Sequence, residues 1–349
     1  MRQPVDQTKR RADEDAVSGV ACSSAANMTP DPTTAESGPL DLRASILINN
    51  YNYGQFLRRC IDSALAQTYA NTEVIVVDDG SNDDSATIIG SYGDSVAAVF
   101  KANGGQASCF NAGFARARGD IVFLLDSDDE FHPNKVATIL HIYRSMHIEW
   151  CFDRADLSEM PPAPCVDLAA DITACDLRAS MSKSHVPHLP APTSGLSFDR
   201  KLLRKILPMP TAPGITLSDN YLKFAAAGLG AGAICNSPLT YQRIHGRNRY
   251  TQARALRRRR ADIMMETGIE LARNFPHLSG VGVRLTSNAL AERVACRTGT
   301  YWSGVDRCWR GPFDEVQTLN IWARSLAKVC LNYMRSRPAI YCNDLGSGS

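Results

Sequence analysis

The stretches EVIVVDDGSND (residues 73–83) and DIVFLLDSDDE (residues 120–130) share one plan, in which a continuous apolar segment runs directly into a cluster of carboxylates. Continuous apolar segments are typical of parallel strands that are covered by helices on both faces. The carboxylates then lie at the carboxyl ends of the strands, where open α/β sheets bind their ligands. These two stretches therefore predict both the fold class and the position of the site.

Strands and helices alternate on either side of these stretches. ASILI (residues 44–48) is the first predicted strand and SVAAVF (residues 95–100) is the third. Apolar residues at three- and four-residue spacing predict the amphipathic helices between them. These helices cover residues 56–65, 82–92, 106–118 and 132–146. The alternation predicts an α/β fold with a mostly parallel sheet flanked by helices.

The composition changes along the chain and predicts three regions. Residues 1–40 are rich in Ala, Ser, Thr, Pro and Asp, which predicts a disordered N-terminal tail. Residues 41–250 form the predicted α/β domain and include a Pro-rich connection over residues 158–195. Residues 251–349 are predicted to form a helical C-terminal region.

The overall composition excludes several classes of protein. The formal net charge is +2 for 349 residues, so no strong field favours nucleic acid as a partner. The 11 cysteines are odd in number, form no CxxC pair and fall mostly in apolar segments, which predicts reduced, buried thiols in a cytoplasmic protein. No apolar run is long enough to predict a membrane span or a secretory signal.

The acidic turn at residues 126–129 is a candidate metal site. Asp126, Asp128 and Asp129 follow a buried strand, and hard oxygen ligands placed there can hold Mg²⁺ or Mn²⁺ while the metal bridges two phosphates. The alternative is an acidic loop whose charge favours the N-terminus of the next helix. The residues of the turn alone do not decide between the two.

A second acidic turn, Asp78-Asp79-Gly80-Ser81, closes the other buried strand. A carboxylate at that edge can accept hydrogen bonds from a base or a ribose, and the glycine lets the backbone approach a nucleotide. Asp-Gly turns are common, so this motif indicates a ligand site only in combination with the acidic turn at residues 126–129. Two acidic turns on one edge of one sheet indicate a nucleotide site.

Two later segments also carry candidate residues. Asp219 precedes a predicted helix and could act as a general base, although Ser218 and Asp219 could also serve only to cap that helix. His245 follows an extended segment and could contact a metal or a diphosphate, with Arg243 adding positive charge. The alternative for His245 is a structural hydrogen bond.

The order of these motifs resembles that of the family 2 glycosyltransferases, which have the GT-A fold. The resemblance rests on residues 45–85 and 103–136, and more loosely on residues 192–210, 217–228 and 241–248. It implies a GT-A (Rossmann-like) mixed, mostly parallel sheet flanked by helices. It also implies a nucleoside-diphosphate sugar as donor and Mn²⁺ or Mg²⁺ as cofactor.

The resemblance implies roles for residues that bind the nucleotide. Asn50, Tyr51 and Asn52 line the base pocket, and Asp78 and Asp79 bind the nucleotide.

It also implies roles for residues around the reacting groups. Asp126 and Asp128, with Asp129 beside them, bind the diphosphate through the metal, and His245 is a further metal ligand. Asp219 occupies the position of the catalytic base, with serine before it where the family has glutamate.

The function implied is inverting, metal-dependent transfer of a sugar to a glycan, lipid-linked or other hydroxyl acceptor, in glycan or polysaccharide biosynthesis. The QxxRW motif of the processive synthases is absent, so a non-processive enzyme is expected. Peripheral contact with the inner face of the membrane and a homo-oligomer stay open. So do two alternatives, a catalytically silent nucleotide-sugar-binding relative and a nucleotidylyltransferase.

Overall fold

The computed structural model describes residues 41–156, 171–212, 215–245, 253–295 and 312–336. The tail predicted for residues 1–40 lies outside the described residues, as does part of the Pro-rich connection at residues 157–170.

Nine strands of the described part form one mixed sheet, in the order β3-β2-β1-β4-β8-β6-β9-β5, with β7 also paired to β9. The strands are β1 (Ala44–Asn50), β2 (Thr72–Asp78), β3 (Ala97–Phe100), β4 (Ile121–Asp126), β5 (Glu130–Phe131), β6 (Trp150–Asp156), β7 (Ile172–Cys175), β8 (Leu196–Asp199) and β9 (Gly232–Tyr241). β1, β2, β3 and β4 run parallel, and β6 and β9 also pair in parallel. The predicted mixed, mostly parallel sheet of the GT-A type is confirmed.

Helices follow most of the strands. They are α1 (Gly54–Leu65), α2 (Ser85–Gly90), α3 (Gly105–Arg116), α4 (Lys135–Met146), α5 (Arg178–Ser182), α6 (Arg200–Ile206), α7 (Asp219–Leu229), α8 (Ala253–Asn274), α9 (Ser279–Ala295) and α10 (Glu315–Ser336). The helices predicted after the first, second, third and fourth strands are all present, with boundaries that differ by a few residues. No helix in the described ranges is long and apolar enough to cross a bilayer.

The parallel strands are buried on both faces, as their continuous apolar sequences predict. Leu47 of β1 packs into one apolar cluster with Phe110 of α3. Its neighbour Ile46 packs on the opposite face, with Leu57 of α1 and Ile139 of α4. Because successive strand residues point to opposite faces, helices on both sides are needed to cover them.

The C-terminal helices pack against the sheet domain through α7. Leu271 of α8 and Leu285 of α9 lie in the same apolar cluster as Tyr221 and Leu222 of α7. α9 in turn packs between α8 and α10. The helical content predicted for this region is confirmed, whereas the domain boundary placed between residues 250 and 251 stays a prediction.

Four strands have no counterpart among the predicted ones: β5, β6, β7 and β8. β8 is four residues long and lies antiparallel between β4 and β6, so its pairing depends on partners that are distant in the sequence. β7 and α5 lie within the segment that was expected to be only a connection. Short strands of this kind carry too few residues for a periodic pattern.

The predicted buried thiols are found at five of the described cysteines. Cys60, Cys109, Cys151, Cys175 and Cys235 are buried and form no disulfide. Burial raises the pKa of the Cys109 thiol to about 12, so this side chain stays protonated and behaves as a small apolar residue.

The packing of Trp150 on Gly232 gives a first prediction. These residues are paired across β6 and β9, and a Cβ atom on Gly232 would lie 2.0 Å from Cδ2 of the fully buried Trp150 ring. Gly232→Ala is therefore expected to destabilise the protein by about 3 kcal/mol in urea denaturation. Gly90→Ala is the control, because nothing lies within 4 Å of its Cβ position and its effect should stay within about 0.5 kcal/mol. Equal effects of the two substitutions would contradict this account.

Candidate active site

The polar turns after β1, β2 and β4 meet at one edge of the sheet. The register pairs Asn50 with Asp78 across β1 and β2, and Asn49 with Asp126 across β1 and β4. Because the three strands are parallel and in register, their carboxyl ends coincide. The structure thus brings the two predicted acidic turns to the same edge.

Asp78 organises the turn after β2. Its carboxylate accepts hydrogen bonds from Asn50 Nδ2 at 2.7 Å, from Ser81 Oγ at 2.6 Å and from Ser81 N at 3.0 Å. Within the described residues, the buried Asn50 Oδ1 has no hydrogen-bond donor. Asn52, in the left-handed region at φ 58°, accepts a hydrogen bond from Asn82 N at 2.7 Å. Asn50 and Asn52 therefore bind the turns after β1 and β2 together.

Asp79 holds the turn after β3. Its carboxylate accepts hydrogen bonds from Gly104 N at 2.9 Å and Gly105 N at 2.8 Å, and it forms an ion pair with Lys101. Gly80 has φ +72°, and a Cβ atom there would lie 3.0 Å from Asn103 N. The glycine is thus required both by its conformation and by the close approach of the neighbouring backbone.

The acidic turn after β4 contains three carboxylates with different surroundings. Asp126 accepts a hydrogen bond from Gln106 Nε2 at 3.2 Å. Asp128 lies 3.1 Å from Nε2 of His245. Asp129 is buried and accepts hydrogen bonds from Ser194 Oγ at 2.6 Å and, at 3.3 Å, from the backbone N of residue 243. Asp129 therefore fastens the turn to the neighbouring elements.

Negative charge is concentrated in this turn. Burial, followed by the charges of Asp128 and Asp219, raises the pKa of Asp126 to about 7. Burial and the charges of Asp128 and Asp126 also raise the pKa of Asp129 well above its ordinary value. The influence of Asp219 on Asp126 shows that the residue predicted as the base is electrostatically coupled to the acidic turn.

The segment after β9 returns across the loop that follows β1. The His245 ring stacks on Phe56 with a centroid separation of 4.2 Å and meets the edge of Tyr53 at 5.7 Å. The Arg243 guanidinium lies 5.2 Å from the centroid of the Phe56 ring and forms an ion pair with Glu130. These contacts hold His245 beside Asp128, which is 117 residues away in the sequence.

Asp219 is the first residue of α7. Ser218 caps this helix, because its Oγ accepts a hydrogen bond from Asn220 N at 3.3 Å. Asp219 itself forms an ion pair with Lys223 at 3.0 Å, and Lys223 also donates a hydrogen bond to the carbonyl of Ala191. The helix cap that the sequence predicts for Ser218 and Asp219 is therefore formed by Ser218.

The acidic turn offers suitable donors for a divalent cation. Within the described ranges, no group of three or more His, Cys, Asp or Glu side chains is arranged so that it could hold a metal ion. The chemistry of the donors nevertheless fits, because Asp126 and Asp128 supply carboxylate oxygens and His245 an imidazole nitrogen. Burial, and after it the charges of Asp128 and Asp219, raise the pKa of Asp126, and a bound cation would offset the part that comes from these charges.

Three residues that contact the acidic side chains are not among the residues predicted from the sequence. They are Gln106 in α3, Lys101 directly after β3 and Ser194 in the turn before β8. Each is a single polar residue of a common type, far in sequence from its partner. The sequence does carry a signal for Lys101. This residue begins the turn KANGG (residues 101–105), which follows the third predicted strand and is therefore expected at the same edge of the sheet.

Comparisons with known proteins identify the class. The model for "Glycosyl transferase family 2" matches residues 45–146. An uncharacterized glycosyltransferase of Nostoc sp. is 31% identical over 249 residues, which cover 67% of this chain and 74% of the relative. A second uncharacterized glycosyltransferase, of Rickettsia prowazekii, is 44% identical over 102 residues, which cover 29% of this chain and 32% of that protein.

Solved structures show the same fold. S. aureus TarS, residues 1–349, determined in complex with UDP-GlcNAc, superposes with a TM-score of 0.56 at 14% identity, covering 85% of this chain and 93% of that one. The protein is a glycosyltransferase with the GT-A fold. It belongs to glycosyl transferase family 2, which sets aside the nucleotidylyltransferase alternative.

Proposed function

We propose that this glycosyltransferase is inverting, metal-dependent and non-processive, and that it transfers a sugar from a nucleoside-diphosphate sugar to an acceptor hydroxyl in glycan or polysaccharide biosynthesis. One observation carries the proposal. Asp128, His245 and Asp126 converge at the edge of the sheet, and Asp219 lies near enough for its charge to act on Asp126. The turn to which we assign the metal and the candidate base are thus neighbours.

In the proposed reaction, Asp219 accepts the proton of the acceptor hydroxyl while the hydroxyl oxygen attacks the anomeric carbon of the sugar. The bond from that carbon to the diphosphate oxygen breaks, and the configuration inverts. The ion pair with Lys223 and the N-terminus of α7 fix the position of the carboxylate. The residues around Asp219 therefore orient the base before the substrate arrives.

In this proposal the acidic turn receives the diphosphate. Asp128, Asp126 and His245 would hold Mn²⁺ or Mg²⁺, with Asp129 holding the turn in place. When bound, the cation supplies positive charge that offsets the charge on the departing nucleoside diphosphate. Arg243 adds a positive charge beside the same turn, although its guanidinium is paired with Glu130.

The nucleoside is assigned to the turns after β1 and β2. We assign the base pocket to Asn50, Tyr51 and Asn52 and the nucleotide contacts to Asp78 and Asp79. Support comes from the unpaired Oδ1 of Asn50, a buried acceptor that a ligand donor could satisfy. Asp79 contributes by holding the glycine-rich turn at the start of α3.

A silent relative that binds nucleotide sugars remains the second candidate. It is favoured by two observations, the serine at position 218 and the ion pair that occupies Asp219. Retained nucleotide binding without turnover on any acceptor would support this second function.

The surroundings in which the enzyme works are also part of the proposal. Buried thiols and a nucleoside-diphosphate-sugar donor fit the cytoplasm, with peripheral contact at the inner face of the membrane and a homo-oligomer as further possibilities.

A thermal-shift screen tests the proposed function. UDP, GDP, dTDP and CMP are each added with and without Mn²⁺ and the melting temperature is recorded. One nucleoside diphosphate at one hundred times its dissociation constant is expected to stabilise the fold by about 2.7 kcal/mol, a rise of several degrees, and only when Mn²⁺ is present. If none of these ligands raises the melting temperature, the metal-dependent donor site is refuted.

A further inference from the structure

Ser194 connects the two ends of the acidic turn. This residue is fully buried in the 3₁₀ turn Thr193–Gly195, just before β8. Its Oγ accepts a hydrogen bond from Asp126 N at 3.0 Å and donates one to Asp129 Oδ2 at 2.6 Å. One hydroxyl therefore fixes the backbone at the beginning of the turn and the side chain near its end.

Ser194 is itself held by a buried ammonium group. Lys135 Nζ donates hydrogen bonds to the carbonyl of Ser194 at 2.6 Å, to Asp153 Oδ1 at 2.7 Å and to Thr240 Oγ1 at 2.7 Å. These are the three donors of a lysine side chain, so the group is saturated. The side chains of Lys135 and Asp153 are both fully buried.

The network joins the elements that deliver the proposed metal ligands. Lys135 begins α4, which follows the acidic turn after the short strand β5, and Asp153 lies in β6. Thr240 lies in β9, five positions before His245. A single ammonium thus ties the acidic turn, through Ser194, to the strand that leads to His245.

A buried ion pair is a poor source of stability, because the desolvation of two charges offsets most of their attraction. Apolar side chains of similar size at Lys135 and Asp153 could fill the same space. An ion pair does, however, impose one relative placement of the groups it joins. This placement is what a metal site built from two distant segments requires.

We propose that Ser194, held by Lys135, is a positioning residue that keeps the acidic turn in the conformation that receives the metal and the donor diphosphate. The proposal rests on the proposed function of that turn. It predicts that loss of the Ser194 hydroxyl impairs the diphosphate end of the site and spares the nucleoside end, which lies on other turns.

The test compares Ser194→Ala with Ser197→Ala. Ser197 is also fully buried, three residues further along, but its hydroxyl donates to the carbonyl of Cys151 at 2.8 Å and contacts Tyr143, not the acidic turn. In Ser194→Ala, Mn²⁺-dependent affinity for the nucleoside diphosphate that the wild type binds, among UDP, GDP and dTDP, should fall at least tenfold. Affinity for the corresponding nucleoside should stay within twofold, and Ser197→Ala should change neither. Equal losses in both variants, or a parallel loss of nucleoside binding, would overturn the proposal.

Hydrogen exchange of the ligand-free protein gives a second readout. The Asp126 amide should exchange at least tenfold faster in Ser194→Ala and at the wild-type rate in Ser197→Ala. The paired substitution Lys135→Met with Asp153→Leu should also speed this exchange, and it tests the network if Ser194→Ala does not fold. Unchanged exchange at Asp126 would overturn the positioning role. If the wild type binds no nucleoside diphosphate, the proposed function fails, and the exchange rates still decide whether Ser194 positions the turn.

Discussion

Asp219→Asn is expected to lower kcat roughly a thousandfold, an increase of about 4 kcal/mol in the barrier, while nucleotide affinity changes less than about twofold. Asparagine keeps the size of the side chain and its place at the start of α7, but it cannot accept the proton of an acceptor hydroxyl. Asp219 pairs with Lys223 on α7, whereas the residues assigned to the nucleoside lie on the turns after β1 and β2, so binding should survive. Steady-state kinetics and calorimetric titration with the donor nucleotide measure the two quantities separately.

Two variants separate this role from helix capping. Asp199→Asn alters another carboxylate at a helix start, which accepts hydrogen bonds from Lys201 N and Leu202 N at the opposite end of the sheet. Ser218→Ala removes the cap of α7 and should cost about 1 kcal/mol of stability. The proposal expects both to keep kcat within about threefold of the wild type. If Asp219→Asn keeps the wild-type kcat, as the two control variants should, then Asp219 is not the catalytic base.

The parallel half of the sheet was predictable because its strands are buried on both faces. Seven consecutive residues such as Thr72–Asp78 contain enough apolar positions to predict a strand, and the polar turn that follows then marks the carboxyl end. The same reasoning predicts, from the sequence alone, that the two acidic turns lie on one edge of the sheet. This part of the site is predictable because each of its turns directly follows a recognisable strand.

The antiparallel half was not predictable by the same means. β8 has four residues, and its neighbours β4 and β6 are not adjacent to it in sequence. Ser194 and Lys135 are single residues whose partners come from several elements. Their roles depend on contacts between elements that are distant in the sequence, and hydrophobic periodicity carries no information about such contacts.

Asp128→Ala is expected to abolish the Mn²⁺-dependent rise in melting temperature that the nucleoside diphosphate produces, and to lower kcat/KM at least roughly a thousandfold. Asp128 pairs with His245 at 3.1 Å and belongs to the pair of carboxylates assigned to the cation. Binding of the free nucleoside should remain, because Asp78 and Asn50 are untouched. Differential scanning fluorimetry and initial rates measure both effects.

A double-mutant cycle with His245→Gln tests whether the two residues act on one cation. If they do, either substitution removes most of the metal-dependent affinity and the second adds little, so the effects are strongly non-additive. His141→Gln, on the exposed face of α4, is the control and should leave affinity unchanged.

The melting temperature of the ligand-free Asp128→Ala variant tests whether Asp128 serves the cation or only the stability of the fold. The charge of Asp128 contributes to raising the pKa of both Asp126 and Asp129, so its removal relieves repulsion inside the turn. The variant should therefore melt at the wild-type temperature or above it without metal, and below the liganded wild type with Mn²⁺ and nucleotide. A marked loss of stability in the ligand-free state would mean that Asp128 and His245 hold the fold together, and the cation would have to be sought at other residues.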